Sequence, residues 1–164
     1  MKPTFLLAAS LAATAAAALA APLDGAFGPI ERPAAPEFDD DAAATTELRR
    51  RTMQAASGHF RALDAILRGD AAQKGQVTLH AEALAAIAAD LDTVFAAETP
   101  HAEGALGASP RIWDEPESFE RHLDGFRDAT AALAAAAAAG RADGEDLLAA
   151  RYQCLACHQE MRTR

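Results

Sequence analysis

Cys154 and Cys157 are the only cysteines in a chain of 164 residues, and His158 follows the second of them directly. In a helix, positions three and four apart share a face, so the two thiols and the imidazole stand side by side. A Cys-x-x-Cys-His run suits a haem: the thiols add to its two vinyl groups as thioethers, and the adjacent imidazole reaches the iron as proximal ligand. Other chemistries fit these residues less well. A structural zinc site wants four ligands, with a second Cys or His pair at fixed spacing, and no such pair is present. A thioredoxin-like redox pair wants a βαβ context and a helix N-terminus to acidify its thiol. A disulfide between positions three apart in one helix is sterically poor. The motif therefore predicts one covalently bound haem c.

The elements that must carry this motif are helices. Only 5% of the residues are aromatic, and alanine supplies much of the apolar fraction, so propensity runs to helix and not to sheet. Four helical stretches are expected, at about Asp41 to Arg68, Gln73 to Ala97, Pro116 to Ala139 and Glu145 to Arg162. Gly69 and Gly140 stand just past the first and third as C-terminal caps, Thr99-Pro100 ends the second, and Pro116 suits a first turn. In the second, Val77, Leu84 and Leu91 alternate with His80, Ile87 and Val94 at heptad spacing. A Gly-rich loop from His101 to Pro110 precedes the third. The expected fold class is all-α, an antiparallel four-helix bundle with covalently bound haem c.

Residues 1–20 read as a signal peptide, with Lys2 in the n-region, an apolar core from Thr4 to Leu19 and cleavage expected after Ala20. Residues 21–40 read as a disordered linker, because Pro22, Pro29, Pro33 and Pro36 stand too close together for any helix. The haem domain is then 41–164, exported to the periplasm and free of the membrane once the signal is removed. With 15 basic and 24 acidic side chains the net charge is −9, which argues against nucleic acid and favours partner proteins with a basic docking patch. No general base, nucleophile or substrate pocket is visible. The chain reads as an electron-transfer protein and not as an enzyme.

From about Asp41 onward the sequence resembles class II cytochromes c, the cytochrome c′ family. The residues that carry the resemblance are Arg49-x-x-x-Met53 and His59-Phe60 in the first helix, Pro110-Arg111-Ile112-Trp113 with Ser118-Phe119 and Phe126 around the third, and Cys154-x-x-Cys157-His158 with Arg162 in the fourth. The resemblance implies that Arg49 approaches a haem propionate, that Met53 holds the distal position, that Phe119 and Phe126 line the pocket and that Arg162 lies beside the proximal histidine. It also implies dimerisation through the first two helices. Arg49, Met53, Ala56 and Phe60 fall on one stripe by helical periodicity, as a helix laid across a haem face would show. A methionine thioether is a competent axial ligand that saturates iron and favours electron transfer. His158/Met53 ligation, as in a low-spin cytochrome c-556-like member, is thus the expectation. The alternative is a five-coordinate, high-spin cytochrome c′ binding NO or CO at its distal face, with Met53 filling space.

The remaining histidines are set apart from this site. His59 lies six positions past Met53, about 120° from its stripe, His80 is expected to be a satisfied or partly exposed core histidine, and His101 and His122 are expected in solvent. Met161 stands where the family has Tyr or Phe.

Overall fold

A heptad rhythm of inward-facing residues runs through the long helices of the computed structural model, which describes residues 41–99 and 107–163. The expected signal peptide, the linker, Pro100 and His101 lie outside the described residues. Helix α1 (Asp41–Arg68) has the bounds the sequence suggested. Its inward stripe is Arg49, Met53, Ala56, Phe60, Leu63 and Leu67, with Leu63 fully buried. After a 3₁₀ turn (Lys74–Gln76) come α2 (Val77–Ala89) and the short α3 (Leu91–Phe95). Helix α4 (Arg111–Asp114) leads into α5 (Pro116–Ala138), and α6 (Gly144–Met161) carries the Cys-x-x-Cys-His run. Helix α1 packs on α2 and α6, and α5 packs on α2 and α6, closing a four-helix bundle around one core.

Two expectations about the elements need correction. The second helix is not continuous: it breaks at Asp90, whose backbone leaves helical geometry at φ −103° and ψ 4°. Of the expected stripe Leu84, Leu91 and Val94 are buried, but His80 and Ile87 are only half-buried, and Ala81 and Ala88 take the inward places. Small alanines let α2 approach its neighbours closely, so the face with the larger side chains is displaced toward the flank. Between the expected loop, which ends at Pro110, and the helix from Pro116 the sequence pattern suggests no element, and the structure places the short α4 there. Pro116 disfavours helical geometry in the residue before it, and Glu115 accordingly sits at φ −126° and ψ 58°, separating α4 from α5.

Helix α6 is held at both ends. Gly140, at φ +68°, turns the chain out of α5, a left-handed conformation that other residues adopt only under strain. The Asp143 side chain then accepts from the backbone N–H groups of Glu145 and Asp146, while Asp146 accepts from the Asp143 N–H. This reciprocal cap satisfies donors that the first turn leaves without partners. At the other end the chain past Met161 is stapled to the segment before α4. Ser109 N–H donates to Met161 O at 2.9 Å, and Thr163 N–H donates to Gly107 O at 3.0 Å. Between its ends α6 lies close to α5 at Gly125, where a Cβ would come within 2.7 Å of Gln153 Oε1, one residue before Cys154.

His59 on α1 and His80 on α2 meet across the first helix pair, with their Nδ1 atoms 2.9 Å apart. Burial, and secondarily the charge of His80, hold His59 below the ordinary imidazole value of 6.5. The folded state therefore binds fewer protons than the unfolded chain once the pH falls below 6.5, and stability present above that value is lost as the pH falls through the depressed folded value. The urea midpoint is expected to drop between pH 7.5 and pH 5 by more in the wild-type protein than in His59→Asn. An equal drop in both would show that this histidine does not contribute.

Candidate haem site

The inward stripe of α6 runs Leu147, Ala150, Cys154, Cys157 and Met161, at alternating steps of three and four. Leu147, Ala150 and Met161 are buried, and both cysteines pack against the apolar core. The opposite face of the same helix exposes Leu148, Tyr152 and Leu155. The two thiols are thus aimed into the bundle by the register that buries the rest of the helix, and His158 sits half-buried beside them.

Burial sets the protonation of all three groups. It pushes the Cys154 thiol up, and it raises Cys157 to about 11 with help from Cys154 and Glu160. Both sulfurs therefore carry protons at neutral pH, and a thioether forms when the sulfur and a proton add across a vinyl group. Burial lowers His158, and the nearby Arg162 charge lowers it further. A neutral imidazole with a free lone pair results, as an axial ligand requires. Arg162 itself is exposed and caps α6, with extended backbone at φ −114° and ψ 137° and a bridge to Ala108. Its charge lies close enough to His158 to lower that imidazole.

The facing walls come from α1 and α5. Phe60, Phe119, Leu123 and Phe126 are buried in the cluster against which Met53, Cys154 and Cys157 pack. Phe60 lies 6.4 Å from Phe126 between ring centroids, and Phe119 meets Phe95 edge-on at 5.3 Å. Met53 is half-buried on the α1 stripe, one turn after Arg49 and next to the small Ala56. The residues present fit a haem c: two protonated thiols and a neutral imidazole on one face, opposite apolar and aromatic walls. Met161, placed by the sequence on the proximal helix, is buried at 3% exposure and closes the end of the core.

Arg49 has more local partners than the sequence suggested. It is 5% exposed, with Nε donating to Val94 O at 2.8 Å, one terminal nitrogen to Thr99 Oγ1 at 2.6 Å and the other to Ala97 O. Its guanidinium also lies 5.2 Å from the ring centroids of both Phe95 and Trp113. Trp113 in turn donates from its indole nitrogen to Phe95 O at 3.0 Å. These partners are backbone carbonyls and a hydroxyl of the 94–99 segment, so no charge pairing in the sequence could have pointed to them. His122 also departs from expectation. It is not in solvent: its side chain is 17% exposed, and Nε2 lies 3.4 Å from Glu160 Oε2 on α6.

Comparison with known proteins is decisive on the family. The family model described as Cytochrome C′ matches residues 44–162. The chain belongs to the cytochrome c′ family. The cytochrome c′ of Pararhodospirillum photometricum is 32% identical over 126 residues, covering 73% of this chain and 96% of that protein. Among solved structures, a carbon-monoxide-bound variant of cytochrome c prime from Alcaligenes xylosoxidans is 25% identical, with a TM-score of 0.67, over 78% of this chain and 100% of that one. A nitric oxide complex of another variant of the same protein agrees to the same extent. Members of the cytochrome c′ family bind one covalent haem c, and the fold of this member is the four-helix bundle of its relatives. Among the described residues no helix is long and apolar enough to cross a membrane.

Proposed function

We propose that this cytochrome c′ is a periplasmic protein in which Cys154 and Cys157 hold the haem, His158 takes the proximal side of the iron, and the distal face beneath α1 admits NO or CO. The group, when bound, supplies an iron that cycles between Fe(III) and Fe(II) and can take a diatomic ligand. The observation that carries this reading is the apolar distal stripe, in which Ala56 provides space, Phe60 provides a wall, and Met53 packs against the core. An apolar face favours small uncharged ligands over water. The relatives solved with NO and CO support the same assignment. The expected leader ending at Ala20 supports export, in keeping with a periplasmic family.

A second reading rests on Met53 itself, which stands on that stripe one turn from Arg49. If its thioether binds the iron, the protein is a low-spin electron carrier with His158/Met53 ligation. Its net charge of −9 then draws partners bearing a basic patch, and association weakens as ionic strength rises. The optical spectrum of the exported protein separates the two. A high-spin ferrous spectrum that changes on adding CO, and stays high-spin in Met53→Ala, establishes the gas-binding form. Sharp low-spin bands unmoved by CO in the wild type, turning high-spin and CO-reactive in Met53→Ala, would establish Met53 as ligand and overturn it.

A further inference from the structure

His59 and His80 lie away from the haem stripe, and nothing in the haem chemistry uses them. Their Nδ1 atoms are 2.9 Å apart, with ring centroids at 5.2 Å and ring planes inclined by 54°. Two nitrogens that share one metal ion at about 2.0–2.1 Å each and subtend a right angle stand about 2.9 Å apart; in a tetrahedral site the separation is about 3.4 Å. In the structure the two rings share an N–H···N hydrogen bond at this separation, which is also that of the right-angled case, so a pair that bonds to itself without a metal is already spaced to chelate one. Right-angled nitrogen ligation is the preference of Cu(II) and Ni(II), and imidazole is a good ligand for both.

We propose that His59 and His80 form a two-histidine site for a divalent transition-metal ion, Cu(II) foremost, bridging α1 and α2. The site is held ready by its supports. Along α1 His59 is flanked by buried Ala56, Phe60 and Leu63, and along α2 His80 is followed by buried Ala81 and Leu84, on two helices packed against each other. The rings are thus positioned before any ion arrives, and little ordering cost falls on binding. Both histidines are half-buried, so water reaches the outer side and completes the coordination. Among the described residues no third His, Cys, Asp or Glu joins them, which makes the site an exchangeable one and not a closed structural cage. Burial also keeps His59 neutral near pH 7, leaving its lone pair available. Without a metal ion one Nδ1–H donates to the other Nδ1; on binding, that ring loses its Nδ1 proton to solvent and takes one up on Nε2, so that both Nδ1 atoms are bare. Cu(II) stands at the top of the affinity order for such nitrogen sites.

The test is a titration of the ferric holoprotein with Cu(II), followed by electron paramagnetic resonance. One equivalent is expected to bind, with hyperfine structure from two nitrogens, while the haem spectrum is unchanged. His59→Gln and His80→Gln, which keep helix propensity and polarity, are each expected to weaken Cu(II) binding by about tenfold or more. Nickel chloride, as a second probe with the same right-angled preference, is expected to raise the melting temperature of the wild type and not of the double variant. Cu(II) bound with equal affinity by wild type and double variant, or a one-nitrogen signal in the wild type, would overturn the proposal. So would failure of the wild type to take up one equivalent.

Discussion

Cells exporting the Cys154→Ser, Cys157→Ser double variant are expected to yield a chain with no covalent haem at all. Mass spectrometry should show the bare polypeptide where the wild type carries the added mass of the group, and a haem stain of the denatured protein should be blank. The reason lies in the register of α6. Leu147, Ala150 and Met161 bury the same face on which positions 154 and 157 sit, so any side chain at those two positions is delivered to the same apolar cluster. Serine fits there sterically, and its hydroxyl can bond to a carbonyl one turn back, as helical serines do. What is lost is the sulfur, the atom that bonds to the vinyl carbon in a thioether. The single variants are expected to retain one thioether and reduced haem content. Wild-type haem mass in the double variant would show that attachment uses some other group, and the assignment of α6 as the haem helix would fail.

How much of this was legible beforehand differs by element, and for physical reasons. The bounds of α1 and the start of α5 were readable because acidic residues, glycine and proline mark helix ends through the backbone itself. The Cys-x-x-Cys-His face was readable because three residue types with one shared chemistry fall at one helical spacing. Helix α4 was not, because the proline that separates it from α5 acts on the residue before it and leaves no apolar period across four residues. The break at Asp90 and the inward alanines of α2 were hidden for another reason. In a chain this rich in alanine, an alanine at a core position looks like an alanine anywhere else, and the large residues of His80 and Ile87 drew the stripe to the wrong flank. Helix α6 has a regular inward stripe, but exposed Leu148, Tyr152 and Leu155 blur it. The pairing of His122 with Glu160 depends on the relative register of α5 and α6, which only tertiary packing decides.

Arg49 shows the same limit most sharply, and it carries the second large expectation: Arg49→Met should destabilise the holoprotein by about 3–5 kcal/mol in equilibrium unfolding. Methionine keeps helix propensity and much of the buried length, so the loss is confined to the guanidinium. Without it Val94 O and Thr99 Oγ1 lose their donor in a place almost wholly shielded from water, and Ala97 O loses it at a more exposed position. A buried acceptor left without a partner costs about 1–3 kcal/mol. Two of the three are carbonyls in and just past α3, the groups that a helix end leaves unsatisfied. The rings of Phe95 and Trp113 also lose the cation between them, a smaller contribution of about 1 kcal/mol. Arg49→Lys should recover only part of the stability, because one ammonium on a flexible stem cannot reproduce the planar fork that reaches three acceptors at once. A shift below about 1 kcal/mol for Arg49→Met would mean that these bonds do not hold the segment, since surface substitutions reach that size without any network. The consequence extends to the haem pocket: Phe95 meets Phe119 edge-on, and Met53 sits one turn from Arg49 on the same stripe. Loosening the 94–99 segment therefore loosens one wall of the site and the helix that covers its distal face. The methionine variant should accordingly combine lower stability with altered CO binding, whereas a residue that served only as a surface cation would change neither.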